Sequence, residues 1–181
     1  MDIASKQHQW DLYFMRIAKE VSKKSKCMSR HIGAVLVRDN AIISTGYNGA
    51  PRGVKECNER EIQFYLDLTD NKHITSIGVK YYSKCPRKEF GYKSGEGLNL
   101  CQAGHAERNA LIQAGRSGVS TKDTTLYCYC GQICKDCAIE IINAGVKELI
   151  FLDGYPPYDN YAEILLEESK IEIRKIKEDE V

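Results

Sequence analysis

His105-Ala106-Glu107-Arg108-Asn109-Ala110, answered further along by Cys134-Lys135-Asp136-Cys137, decides how the rest of this 181-residue sequence is read. One imidazole and two thiolates fill three corners of a tetrahedral zinc site and leave the fourth for water, whereas structural zinc is normally closed by four protein ligands. Glu107, just beyond the histidine, is placed to carry protons rather than to ligate. A Cys-x-x-Cys pair alone also serves as half of a structural zinc cluster or as a redox pair. The redox reading wants a strand ahead of Cys134, which Thr125-Leu126-Tyr127-Cys128-Tyr129 supplies. It gives no reason for His105 and Glu107, and the catalytic-zinc reading does.

Both metal motifs fall where helices start. Ala106, Ala110, Leu111 and Ala114 recur at helical spacing over residues 105–114, with Gly115 as the stop. Ala138, Ile141 and Ile142 do the same over residues 137–144, with Gly145 as the stop. Helix N-termini favour anions, which helps keep Cys134 and Cys137 as thiolates. A metal makes a bound water's proton easier to remove, and Glu107 is positioned to take that proton up and pass it on. Strand-like runs over 124–130 and 146–152 alternate with these helices. A helix over 161–169, a strand over 171–176 and a charged tail expected to fray complete the chain.

Toward the N-terminus, Trp10, Tyr13, Phe14, Ile17, Ala18 and Val21 predict an amphipathic helix over about residues 8–25. Residues 32–37 and 41–45 are short β-branched runs joined by the hairpin signal Arg38-Asp39-Asn40. Gly46-Tyr47-Asn48-Gly49-Ala50-Pro51-Arg52-Gly53 reads as an irregular loop. Residues 54–100 are the least readable, with a helix expected over 59–68, a strand over 74–82, and a loop at Gly91, Gly95 and Gly97. The alternation of strands and helices predicts an α/β fold, a central sheet with parallel segments and helices on both faces.

The length suits a single domain over residues 1–181. Hydrophobic residues at 43% and charged residues at 28% fit a globular protein. Lys+Arg 26 against Asp+Glu 25 leaves a net charge of +1, and no dense basic block suggests a grip on a nucleic acid polymer. Lys19, Lys23, Lys24 and Lys26 read as a solvated helix face. A small substrate is favoured. No apolar stretch is long enough to span a membrane. Met1 to His8 lack the core of a signal peptide, and eight cysteines without one point to a reducing, cytoplasmic setting.

The motifs together resemble the deoxycytidylate (dCMP) deaminase branch of the cytidine deaminase-like superfamily, over about residues 8–155. The similarity covers both metal motifs, Ile32-Gly33-Ala34-Val35-Leu36-Val37, the 46–53 loop, Ser94-Gly95-Glu96-Gly97 and Ile141-Ile142-Asn143-Ala144-Gly145. The resemblance implies a three-layer α/β/α fold with a mixed central sheet of about five strands and a family-variable insert at about 58–100. It implies hydrolysis of dCMP to dUMP and ammonia, feeding thymidylate synthesis; the alternatives are deamination of another cytosine nucleotide (modified dCMP or dCTP) or of a nucleoside, or a non-catalytic zinc-binding module. His105, Cys134 and Cys137 would hold the catalytic zinc, Glu107 would shuttle protons, Asn48 would hydrogen-bond the sugar, and Ala106 would lie against the substrate. Arg52 is a candidate phosphate partner by charge and planarity, although an exposed loop arginine is a simpler account of it. Tyr155 matches an aromatic position near substrate in relatives, and half-buried packing explains it equally well. Relatives are commonly hexamers activated by dCTP and inhibited by dTTP, so a homo-oligomer with nucleotide effectors is expected. Ile133 stands where the family usually has proline, and the stretch over 128–133 runs one residue longer.

Six cysteines remain outside the catalytic pair. Cys128 and Cys130 lie on the strand leading to the site, where packing is the simplest role. Cys27, Cys57, Cys85 and Cys101 flank the readable elements and would form a closed set for a structural zinc. Buried free thiols, or His73 in one corner, are the alternatives. Some relatives carry a second zinc, and Cys27, Cys57 and Cys101 fall at matching offsets from the shared motifs.

Overall fold

The computed structural model describes residues 3–59, 61–65, 77–81, 85–93, 96–154 and 160–181. Helix α1 (Ile3–Ser22) leads into the antiparallel pair β1 (Gly33–Arg38) and β2 (Ala41–Tyr47). Asp39 and Asn40 join these strands with φ of 52° and 57°. Two positive φ values in a two-residue turn make a type I′ hairpin, which Asp and Asn tolerate. A short antiparallel pair follows, β3 (Glu61–Tyr65) and β4 (Ile77–Tyr81), and then the single turn α2 (Pro86–Glu89). The remainder alternates: α3 (Ala106–Arg116), β5 (Thr125–Tyr129), α4 (Lys135–Asn143), β6 (Glu148–Leu152), α5 (Asn160–Ser169) and β7 (Glu172–Ile176).

The central sheet runs β2-β1-β5-β6-β7. β1 is antiparallel to both neighbours, while β5, β6 and β7 are parallel. This is the mixed five-strand sheet that the family resemblance implies. Strand periodicity divides its side chains between two cores. Ala34, Leu36, Leu126, Cys128 and Leu149 pack with α3, α4 and α5, while Val35, Val37, Tyr127, Ile150 and Leu152 pack with Phe14, Met15 and Ala18 of α1. Burying a side chain such as Phe14 or Met15 contributes about 1.5–3 kcal/mol, so α1 is held by apolar contact.

Two glycines bring the helices directly onto the sheet. A Cβ on Gly33 would collide with the Ala18 carbonyl and the Ser22 nitrogen of α1, and one on Gly46 would collide with the Ala106 carbonyl and the Ala110 nitrogen of α3. On the α1 side, Asp11 accepts a hydrogen bond from the Tyr127 hydroxyl at 2.8 Å and two from the Arg174 guanidinium at 3.0 Å each. That cluster ties α1 to β5 and β7.

Several expectations need correction. The first helix starts earlier and ends sooner than residues 8–25. Of the helix expected over 59–68, Glu59 ends a 3-10 turn (Cys57–Glu59), Glu61–Tyr65 is a strand paired with Ile77–Tyr81, and residues 60 and 66–68 lie outside the described residues; a paired ladder satisfies the strand's backbone where local periodicity suggested a helix. Gly115 lies inside α3, and the left-handed residue beyond its end is Gly118, at φ 68°. The tail is docked: Arg16 and Lys19 donate to the carbonyls of Glu180 and Val181 at 3.2 and 3.0 Å. Among the described residues no helix is long and apolar enough to cross a membrane.

Candidate metal centre and substrate cleft

His105 and Cys134 are the N-cap residues of α3 and α4, both with extended backbone, and Cys137 sits in the first turn of α4. Gly46 sets the height of α3 on the sheet, and the β5–α4 connection sets α4 beside it. The result brings the three ligand atoms within 4.8 Å of one another. His105 Nδ1 lies 3.3 Å from Cys137 Sγ and 3.4 Å from Cys134 Sγ. The expected ligands therefore converge, each at the start of a helix.

The donor set fits zinc electrostatically as well. A hydrogen bond from Cys137, aided by His105, pulls the Cys134 thiol well below the ordinary thiol range, which favours its metal-binding thiolate form. The same pairing with Cys134, together with burial, pushes the Cys137 thiol up. The Cys134 hydrogen bond raises the His105 pKa against the opposing effect of burial. Two cysteine sulfurs and an imidazole so close together are a donor set that a divalent cation can bind by displacing protons.

Glu107 stands in the first turn of α3, 3% exposed. Its Oε2 is buried without a hydrogen-bond partner among the described residues. An oxygen in that condition is costly unless something in the working state fills the place. Burial is the main cause that raises the carboxyl's pKa, which suits a group that must both accept and release a proton.

His105 and Glu107 line a cleft of about 600 Å³. Its walls also carry Arg30, His31, Lys88 and Lys93, and no partner side chain neutralises Arg30, Lys88 or Lys93 among the described residues. Arg87 lines it too, but its guanidinium is spent on the carbonyls of Glu96 and Lys93. Sequence reasoning missed this cationic wall. Arg30-His31 directly before β1 was the available signal, obscured by the lysines nearby.

The other expected residues are distributed differently. Asn48 lines the cleft, 6% exposed, with its Oδ1 accepting from Ile32 N–H and its Nδ2 donating to the Arg30 carbonyl, both at 2.8 Å. It thereby fixes the segment that carries Arg30. Ala106 is fully buried at the head of α3, beneath the cleft. Arg52 is not brought to the cleft; it donates to Gln113 Oε1 at 2.6 Å on an exposed face of α3. Tyr155 and His73 lie outside the described residues. Ile133 packs into the core with α3 and α4, so the position of the missing proline is held by burial. Cys27, Cys57, Cys85 and Cys101 all line one small cavity of about 30 Å³. Burial chiefly, and the proximity of Cys101, Cys27 and Cys85, raise the Cys57 thiol.

The protein family described as the cytidine and deoxycytidylate deaminase zinc-binding region matches residues 8–153. Deoxycytidylate deaminase of Schizosaccharomyces pombe is 36% identical over 166 residues, covering 92% of this chain and 44% of that protein. The chain thus spans less than half of that relative, and 38% of the Saccharomyces cerevisiae one. Deoxycytidylate deaminase of enterobacteria phage T2 is 36% identical over 150 residues, covering 78% of each chain. A crystal structure of dCMP deaminase from cyanophage S-TIM5, in complex with dCMP and dUMP, shares the fold at a TM-score of 0.63. Its identity is 23%, and the match covers 97% of this chain and 99% of that one.

Proposed function

Because this chain belongs to the cytidine and deoxycytidylate deaminase zinc-binding family, we propose that it hydrolyses dCMP to dUMP and ammonia. The observation that carries the reading is Glu107, whose unpartnered, buried carboxylate oxygen stands beside the His105–Cys134–Cys137 set at a cleft with a cationic wall. His105, Cys134 and Cys137 would hold a zinc ion, which would supply the Lewis acidity that lowers the pKa of water. Glu107 takes the water proton and delivers it to N3 of the cytosine ring, then takes the proton of the hydroxyl newly added at C4 and delivers it to the amino group, which leaves as ammonia as the C4 carbonyl forms. General acid–base transfer of this kind contributes roughly 10²–10⁴-fold. Burial of Glu107 excludes solvent from the exchange.

Arg30, Lys88 and Lys93 favour an anionic substrate, with Arg30 suited to a phosphate by its fork of donors. Asn48 keeps a second amide N–H and a second lone pair for the sugar. The test is to mix zinc-loaded protein with dCMP and with deoxycytidine and to follow ammonia release. dCMP should be turned over far better. Equal efficiency on the two would falsify a phosphate-reading site and favour a nucleoside substrate.

The reading extends to a structural zinc held by Cys27, Cys57, Cys85 and Cys101, supported by the one small cavity they line. Two zinc ions per chain by metal analysis, one lost on Cys85→Ser, is the expected stoichiometry. It extends also to a homo-oligomer responsive to dCTP and dTTP, which sedimentation and kinetics with each nucleotide would test.

A further inference from the structure

A second ligand set stands in the same region. Glu107, Cys128 and Cys130 are all buried, and a ligand atom from each lies within 4.8 Å of the others. Cys128 is on β5 and Cys130 just beyond it. The Cys130 N–H turns back onto the Cys128 carbonyl at 2.8 Å, and the two sulfurs come to 3.1 Å. Packing accounts for two small thiols on a buried strand. It does not account for their gathering with a carboxylate that is 3% exposed and has an unpartnered oxygen. Glu107 and Cys130 also line the open cleft, so an ion has a route in from solvent.

We propose that Glu107, Cys128 and Cys130 form a second, inhibitory site for a thiophilic divalent cation, taken up when Zn²⁺ is in excess. Two thiolates and a carboxylate are a zinc donor set. The ion forms two Zn–S bonds and one Zn–O bond, the two thiol protons leave to solvent, and nothing is oxidised or reduced. An ion there occupies the carboxylate needed for proton transfer and stands where the base must reach it. Inhibition is therefore competitive with substrate and reversed by a chelator. The inhibition rests on the role proposed for Glu107; the binding does not.

The experiment uses zinc-replete protein freed of loosely held metal by gel filtration, then dialysed against rising free Zn²⁺ with the bound ions counted. Wild type should take up one more equivalent than Cys130→Ser or Cys128→Ser. Two variants are used because Cys128 is fully buried, and circular dichroism checks each fold. In parallel, dCMP turnover is measured against Zn²⁺, each protein relative to its own uninhibited rate. Either substitution should raise the inhibitory concentration by at least about ten-fold, the scale on which even an outer partner of a metal matters. Equal uptake and equal inhibition in wild type and in the folded variants overturns the site. So does inhibition reversed only by a thiol reductant, which marks oxidation of the thiol pair. Should the chain fail to act on dCMP, the extra equivalent and its loss in the variants still decide the binding.

Discussion

At the scale of single residues, the proposed mechanism separates groups that would hold metal from the group that would move protons. Glu107→Gln keeps the shape and removes the proton acceptor, so turnover should fall by roughly 10²–10⁴-fold while the catalytic zinc stays bound. His105→Ala removes a metal ligand, and metal analysis should show zinc lost together with activity. A Glu107→Gln enzyme with near-native turnover would remove the shuttle from the mechanism. Arg30, which lines the cleft, is assigned to phosphate recognition by the proposed function. Arg30→Ala should raise KM for dCMP about ten-fold, about 1.4 kcal/mol of binding, and leave deoxycytidine kinetics unchanged. An equal change for nucleotide and nucleoside would mean that Arg30 only supports the loop.

At the scale of elements, the placement of α3 on β2 controls the site, and Gly46 controls the placement. Gly46→Ala drives a Cβ into the Ala106 carbonyl and Ala110 nitrogen. Overpacking of that kind costs about 1–3 kcal/mol, and a shift of about 1 Å at a reacting group can cost 10²-fold in rate. Both a lower melting temperature and a depressed kcat are expected. Gly115→Ala is the control on the same helix: nothing lies within 4 Å of the new Cβ, and replacing an interior glycine should stabilise by up to about 1 kcal/mol. Much of this was legible in the sequence. Helix and strand periods were clear for α3, β5, α4 and β6, because each buries one face or both against a neighbour. The metal ligands were legible because metal chemistry restricts residue type and spacing together. Residues 61–65 were misread because β3 is fixed by its ladder with β4, and no local pattern announces a partner strand. Arg30 and Lys93 were missed as cleft residues for a related reason: they meet only in three dimensions, across the sequence between β1 and the turn after α2.

At the scale of the whole molecule, the two faces of the sheet are stabilised by different means. The α1 face rests on Phe14, Met15 and Ala18 and on the Asp11–Tyr127–Arg174 cluster. The opposite face brings the starts of α3 and α4 together, and there two cysteine sulfurs and an imidazole nitrogen crowd within 4.8 Å. An ion that binds the folded arrangement and not the open chain adds its binding free energy to stability. Removing zinc with a chelator should therefore lower the melting temperature, and restoring zinc should recover it. The loss should also be local. Hydrogen exchange on the metal-free protein should accelerate first at the N-terminal turns of α3 and α4, around Ala106 and Lys135, while the centre of α1 and β1 keep their protection, because local opening follows the contacts removed. Uniform acceleration over both faces would mean instead that the ion supports the fold as a single cooperative unit. No acceleration at either helix start would mean that packing, with Gly46 at its centre, already fixes the site before any metal arrives.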